Sequence, residues 1–381
     1  MTANIVKKNN KYYVVVSWKT NGKRQQKWVN TDLSVTGNNK RKAEQKRIEI
    51  LNEYTEKLSL YNYEDILFSD FLKKWLVEIK HTISENTYYI YDKVVSGVIC
   101  PYFKDLGVKL SDLKTYHIQD FYSYKMEYDG VSATTIWHYH ANIHKALKFA
   151  VKTERIKSNP ADNVELPKRE KHVVDYYNAE ELKTLLRAVK NTELETVVLI
   201  ATWFGLRRGE IIGLKWSSID LVNKTLTVNG TMVLTNEMKY QETAKNKSSL
   251  RTLPMTDEAV NYFNALKVKQ EDNRKRYGRR YNNDWNDFVC VRENGDIIKL
   301  SYVSKKFPQL CKKCDLRPIN IHALRHSNIS LLLANNITLK EIQEWAGHST
   351  YSTTADIYAH IQSQNKIKLS NTIQKALSDI N

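Results

Sequence analysis

Near the N-terminus the apolar residues alternate. In KYYVVVSWK, Tyr12, Val14, Val16 and Trp18 fall on one side of an extended chain, and Tyr13, Val15, Ser17 and Lys19 on the other. That period of two is a strand with one buried face. The Asn-Gly pair in TNGK, Thr20 to Lys23, signals a hairpin turn, and RQQKWVNTDL continues as the next strand. The period then lengthens. NNKRKAEQKRIEILNEYTEKL predicts a basic helix with Ala43, Ile48, Leu51 and Leu58 inward. Residues 1–60 are therefore expected to form a small sheet-plus-helix module, rich in Lys and Arg. Phe68, Phe71, Leu72, Trp75, Leu76 and Ile79 lie at helical spacing in ILFSDFLKKWLVEIKHTI. SENTYYIYDKVVSGVI opens a second helix with Ser84 as N-cap. KTYHIQDFYSYKMEY and SATTIWHYHANIHKALKFAVKTERI supply two more, making a helical region over 64–166. Pro160, Pro167 and the charges of SNPADNVELPKREKHVVDYY read as a linker. A third segment, 174–381, holds the apolar helix ETVVLIATWFGL. The expected class is multidomain α+β: a small sheet-plus-helix module, an α-helical domain, and a mostly helical domain with a small sheet.

Composition narrows the partner. A chain of 381 residues with 41% hydrophobic content can bury two or three cores. Lys and Arg outnumber Asp and Glu by 59 to 42, a net charge of +17 and a pI near 9.4, which makes a polyanion the first partner to consider. MTANIVKKNNKYY has no apolar run after its charges, and no stretch is long and apolar enough for a membrane span, so a cytoplasmic placement is expected. Cys100, Cys290, Cys311 and Cys314 read as reduced thiols. Cys311 and Cys314 form a CxxC without a second ligand pair. His138, His140 and His144 share one helix without a carboxylate or cysteine at ligand spacing, so a solvated or DNA-facing side is expected for them. No metal and no cofactor are expected.

Four islands in the third segment carry the candidate chemistry. WFGLRRGEIIGLKWSSIDL has Gly205 ending one helix and another beginning at the arginines. AKNKSSLRTLPM reads as strand, polar turn and strand, with Lys245 and Lys247 at the turn. INIHALRHSNISLLLANN puts His322 and Arg325 three apart on one helix face. HSTYSTTADIYAH holds Tyr351 and Tyr358 between His348 and His360. Guanidinium forks clasp phosphate oxygens and stay charged. Lysine and histidine can donate protons, and a tyrosine hydroxyl can serve as a covalent nucleophile. Together these are the parts of a phosphodiester site that uses cations instead of a metal.

GLRRGEIIGLKW, HALRHS, WAGHSTYSTTADIYAH and NPADNVELPK resemble the corresponding boxes of tyrosine recombinases of the phage-integrase family, on the branch found in Gram-positive prophages and conjugative transposons. The likeness covers nearly the whole chain. It implies an arm-type DNA-binding domain at 1–60, built as a three-stranded sheet plus a helix, a core-binding SAM-like helical domain at 64–166, and a catalytic domain with a C-terminal tail helix at 174–381. By position it implies Arg207 and Arg325 as catalytic arginines, His322 and His348 as donors to the phosphate, and Tyr358 as nucleophile. Lys247 is the implied proton donor, with Lys245 two residues away as the alternative. Glu210 stands where the family often has a buttressing acid. Lys11, Trp18, Lys19, Lys23, Arg24, Lys27, Arg208 and Lys245 are the expected DNA contacts.

The resemblance further implies a C-shaped clamp on DNA, a 3′-phosphotyrosyl intermediate and a Holliday junction, without ATP or divalent metal. The implied partners are core-type and arm-type att sites in double-stranded DNA, three further copies in a homotetramer, a DNA-bending host factor and an excisionase. The tail, with Ile367, Leu369, Ile373 and Leu377 near helical spacing, packs on its own domain or on a neighbouring copy. A chromosome resolvase or invertase shares the catalytic boxes but lacks the N-terminal module. A non-catalytic DNA-binding regulator would lack a catalytic residue, and none of these positions is vacant. A relaxase would need a histidine triad, and a type IB topoisomerase would act without sequence preference.

Overall fold

The structure, a computed structural model, describes residues 1–20, 23–37, 39–61, 66–169, 175–242 and 250–347. It divides into two compact units, Met1–Glu170 and Lys171–Asn381.

The first unit opens with β1 (Thr2–Lys8), β2 (Lys11–Thr20) and β3 (Lys23–Ser34), antiparallel in that order. Asn9 and Asn10 both take positive φ, as a two-residue hairpin turn requires, and Thr20 pairs with Lys23. Val14 and Val16 are fully buried beneath α1 (Asn39–Tyr61), which presents Ile50, Leu51 and Tyr54 to them, and Ala43 on the same helix is fully buried. Ile48, expected inward, is 51% exposed. At ~100° per residue it lies about 140° round the helix from Ala43, outside the stripe that Ile50, Leu51 and Tyr54 define. The side chain of Leu58 lies outside the described ones.

A second core gathers α2 (Phe68–Ile79), α3 (Glu85–Val94), α4 (Cys100–Leu106), α5 (Thr115–Glu127) and α6 (Ala133–Lys152). All six apolar positions read on α2 are buried, and Ser84 Oγ caps α3 by accepting from the Thr87 amide. A π turn at Val95–Ile99 joins α3 to α4. It sits where the Pro101 ring removes a donor and crowds the carbonyl four residues back.

The expected linker is in part a strap. Thr115 Oγ1 donates to the Pro160 carbonyl at 2.9 Å, Trp137 Nε1 to that of Pro167 at 3.0 Å, and Gln119 exchanges two hydrogen bonds with the Glu165 backbone. Unsatisfied backbone in a crossing segment is costly, and these side chains on α5 and α6 supply the partners. Residues 170–174 lie outside the described ones. The histidines on α6 also differ from expectation. His138 is exposed, but His140 Nδ1 lies 3.0 Å from the Tyr122 hydroxyl, and His144 Nε2 lies 2.8 Å from Asp162 Oδ1 on the strap.

The second unit packs α7 (Ala179–Val189), α8 (Glu195–Phe204), α9 (Arg208–Ile212), α10 (Asp257–Tyr277), α11 (Leu300–Lys313), α12 (Ile321–Ala334) and α13 (Leu339–Ala346) with two small sheets. One sheet has β4 (Ile219–Asp220), β5 (Thr225–Val228) and β8 (Arg251–Pro254), with β5 central. The other pairs β6 (Gly230–Leu234) with β7 (Met238–Glu242). The strands on either side of 243–249 are therefore not partners of each other: β7 pairs with β6 and β8 with β5. Among the described residues, no helix is long and apolar enough to cross a membrane. Cys290 and Cys311 are buried thiols, Cys314 is partly exposed, and none is bonded to another.

Candidate active site

Gly205 ends α8 in the left-handed region, at φ +61°, and its amide returns to the Ala201 carbonyl. A side chain there would be strained. It would also meet Asn328 Oδ1 at 2.8 Å, so the absent Cβ lets α12 close onto the end of α8. Asn328 fixes that contact by donating to the Thr202 and Trp203 carbonyls. From α12, Arg325 Nη1 donates to the Gly205 carbonyl at 2.7 Å.

Two residues beyond Gly205, Arg207 is the N-cap of α9. Glu210 Oε2 accepts from its amide at 3.0 Å, and Glu210 Oε1 accepts from its Nη1 at 2.8 Å. The acid three residues into the helix thus satisfies an orphan amide and fixes the guanidinium together. Arg251, first residue of β8, grips the same carboxylate, with Nη2 2.8 Å from Oε2.

The C-terminal end of α13 closes the arrangement. Three successive carbonyls there each accept from a different arginine: Trp345 from Arg251 Nε at 3.0 Å, Ala346 from Arg325 Nη2, and Gly347 from Arg207 Nη2 at 2.8 Å. A helix C-terminus leaves its last carbonyls without amide partners and carries partial negative charge, which is why cations collect there. The next residue in the chain is His348.

Electrostatically the cluster has an excess of cations. Burial alone would raise the Glu210 pKa. The Arg251 hydrogen bond and the charges of Arg251 and Arg207 outweigh it and hold the acid at about 2. Arg325 is fully buried, and burial together with the neighbouring Arg207 presses its pKa down to about 9. His322, one turn earlier on α12, is exposed at the surface. Crowding by protein and the charges of Arg325 and Arg207 lower its pKa, so it is neutral at pH 7. His326 stacks edge-on against it at 4.9 Å and is itself driven down to about 4, chiefly by burial.

Such a set can hold an anion with two planar forks and offer a neutral imidazole beside it. It brings together Arg207, Arg325, His322 and Glu210. Arg208, expected at DNA, is exposed and reaches Ser304 Oγ on α11. Lys245, Lys247, His348, Tyr351, Tyr358, His360 and the tail lie outside the described residues. Among the described residues, no group of three or more His, Cys, Asp and Glu side chains could hold a metal ion.

The family described as "Phage integrase family" matches residues 176–365, and the description "Phage integrase, N-terminal SAM-like domain" matches 67–126. The chain belongs to the phage integrase family. It is a tyrosine recombinase, of the enzyme class that cleaves and rejoins DNA. A "Tyrosine recombinase XerC-like" protein of Caldanaerobacter subterraneus subsp. tengcongensis is 27% identical, with 97% of each chain covered. The "ICEBs1 integrase" of Bacillus subtilis is 26% identical over 82% of each. The "Prophage ps2 probable integrase" of Lactococcus lactis is 26% identical over 90% of this chain and 92% of its own. In fold, this recombinase matches the Tn1549 transposon integrase with TM-score 0.62 at 18% identity, over 75% of this chain and 94% of that one. A lambda integrase tetramer subunit matches with TM-score 0.57 at 17% identity, over 92% and 96%.

Two functional placements in this recombinase differ from the sequence reading. Trp18, expected at DNA, shares the face of Val14 and Val16 and packs toward α1, with its ring 6.2 Å from that of Tyr54. Strand alternation forces this, because even positions of β2 are the covered face. The aromatic on the open face is Trp28. It pairs across from Val15, is 46% exposed, has Tyr13 edge-on at 6.2 Å and carries Lys8 Nζ 5.4 Å from its ring. Lys11 and Arg24 are exposed on β2 and β3, while Lys27, opposite Val16, is exposed on the helix side. The side chains of Lys19 and Lys23 lie outside the described ones. Arg251 was also missed. Its signal was legible: it alternates with Leu253 and Met255, both buried, so a cation occupies a core-facing strand position.

Proposed function

We propose that this recombinase integrates and excises a mobile genetic element at specific DNA sites. The observation that carries the reading is that Arg207 and Arg325, from α9 and α12, donate to the adjacent Gly347 and Ala346 carbonyls, immediately before His348. Two forks converging on neighbouring acceptors are suited to the two non-bridging oxygens of one phosphate, which would be met by guanidinium N–H groups that the carbonyls leave free. His322 and His348 add hydrogen bonds as negative charge builds. Tyr358 attacks phosphorus in line and forms a 3′-phosphotyrosyl ester, while Lys247 protonates the leaving 5′ oxygen. The ester retains the bond energy for attack by the 5′ hydroxyl of a partner strand.

The open face of the N-terminal sheet, with Trp28, Tyr13, Lys8, Lys11 and Arg24, serves the arm-type site, and residues 64–166 and 174–381 serve the core site. The Tn1549 integrase was solved with circular intermediate DNA and lambda integrase as a tetramer on a Holliday junction. By analogy we assign this chain a homotetramer on core and arm sites, with a bending factor and an excisionase, at the bacterial nucleoid.

The test is covalent trapping on a labelled duplex from the element's end, nicked so that the released fragment diffuses away, with EDTA present. Wild type and Tyr351→Phe should form a denaturation-resistant adduct, and Tyr358→Phe should not. An adduct with Tyr358→Phe assigns the nucleophile elsewhere. Tight binding without any adduct favours a regulator that cuts nothing.

A further inference from the structure

We propose that Arg251 is a positioning residue for strand cleavage, fixing Arg207 through Glu210 and the chain leading to His348 through the Trp345 carbonyl. This rests on the phosphate site described under Proposed function.

The Arg251 side chain, 7% exposed, is paired with Glu210, 4% exposed, and opens little surface to solvent. Its three contacts join three elements. Nη2 and Nη1 reach the two carboxylate oxygens of Glu210 on α9, at 2.8 and 3.4 Å, and Nε reaches the end of α13 at 3.0 Å. Each far end of this link is attached to Arg207. Glu210 holds the Arg207 amide and Nη1, and the α13 terminus holds its Nη2 through Gly347. The intervening carbonyl, that of Ala346, holds Arg325. A displacement of Glu210 or of the α13 end therefore moves the forks that grip the phosphate. A planar guanidinium reaches the carboxylate and the carbonyl from separate nitrogens held in one plane, whereas lysine has three donors on a single nitrogen. Among the groups facing Glu210, Arg207, Arg251 and Arg325 are cations and His322 is neutral at pH 7. Losing Arg251 would leave the carboxylate to a single direct partner.

The experiment measures single-turnover adduct formation at saturating nicked duplex, duplex affinity and melting temperature for wild type, Arg251→Gln, Arg251→Lys, Glu210→Gln and the Arg251→Gln/Glu210→Gln pair. Arg251→Gln should bind the duplex with unchanged affinity and form adduct about a hundredfold more slowly, as expected for a displaced catalytic group. Arg251→Lys should recover part of the rate. Glu210→Gln should add little in the Arg251→Gln background, because the two act through one another. Cleavage at the wild-type rate in Arg251→Gln overturns the proposal. So does a loss of cleavage that tracks loss of affinity and melting temperature together. If Arg251→Gln does not fold, Arg251→Lys decides: slower cleavage at unchanged affinity supports positioning, and unchanged cleavage overturns it. Wild type without adduct removes the underlying site reading, whereas wild-type adduct absent from Tyr358→Phe leaves only Arg251 in question.

Discussion

Arg207 and Arg325 donate to adjacent carbonyls, Gly347 and Ala346, so two guanidinium groups from different helices stand side by side at the end of α13. Burial, together with their mutual repulsion, lowers the Arg325 pKa to about 9. Arg325 still carries its charge at pH 7, and an anion between the forks relieves the repulsion. Inorganic sulfate at about a hundred times its Kd should stabilise the second unit by about 2.7 kcal/mol. In Arg207→Gln the rise in melting temperature should largely disappear. An equal rise in both proteins would place the anion elsewhere.

Glu210 links acidity to stability. Its pKa in the folded chain, about 2, lies below the ordinary 4.5, so its contribution is fully present above 4.5 and is lost as pH falls toward 2. The depression corresponds to about 3 kcal/mol. Glu210→Gln leaves Arg251 buried without its counter-charge and should cost about 3–5 kcal/mol at pH 7. Urea denaturation at pH 7 and pH 3 should show the gap between variant and wild type narrowing in acid. A constant gap would mean that Glu210 is not held as an anion.

Gly205→Ala should destabilise the second unit by about 1–2 kcal/mol from the left-handed backbone alone, with more from the contact at Asn328. Asn328→Ser removes that contact together with the donations to the Thr202 and Trp203 carbonyls, so measured against Asn328→Ser alone the Gly205→Ala cost should shrink to the backbone part. Denaturant midpoints of the single and double variants separate the two.

The choice between Lys247 and Lys245 is one of proton donation. A duplex with sulfur in place of the leaving 5′ oxygen needs no proton to depart. Lys247→Ala should cleave the ordinary duplex poorly and the sulfur-containing duplex well, while Lys245→Ala behaves nearly as wild type on both. The reverse pattern would assign the role to Lys245. Arg207→Ala should be rescued by neither substrate.

Trp28 and Lys8 face the open side of the N-terminal sheet. Trp28→Ala should weaken binding to an arm-type duplex and leave core-site adduct formation unchanged. Lys8→Ala should additionally flatten the salt dependence of arm binding by about one unit of slope. Loss of arm binding in Trp18→Ala accompanied by a lower melting temperature would reflect its packing on α1.

The sequence by itself determined the period-two and period-3.6 stretches, because a residue's face depends on local geometry alone. The six buried positions of α2, the Ser84 cap, the Gly205 stop and the His322/Arg325 spacing were all legible that way. Ile48 was misplaced because a stripe is defined only once its partner surface is known, and Trp18 because a DNA-binding residue type outweighed the alternation that turns it toward α1.

Tertiary structure alone decided what no spacing contains. Glu210 and Arg251 are 41 positions apart, and Arg251 and Trp345 are 94 apart. The carbonyls of α13 become ligands for three arginines only when α9, β8 and α12 end at one place. The strap on α5 and α6 and the pairing of His144 with Asp162 are likewise products of chain return. Long-range closure of this kind depends on the packing of the core, so an isolated LRTLP or PADN shows the residue types and not their partners.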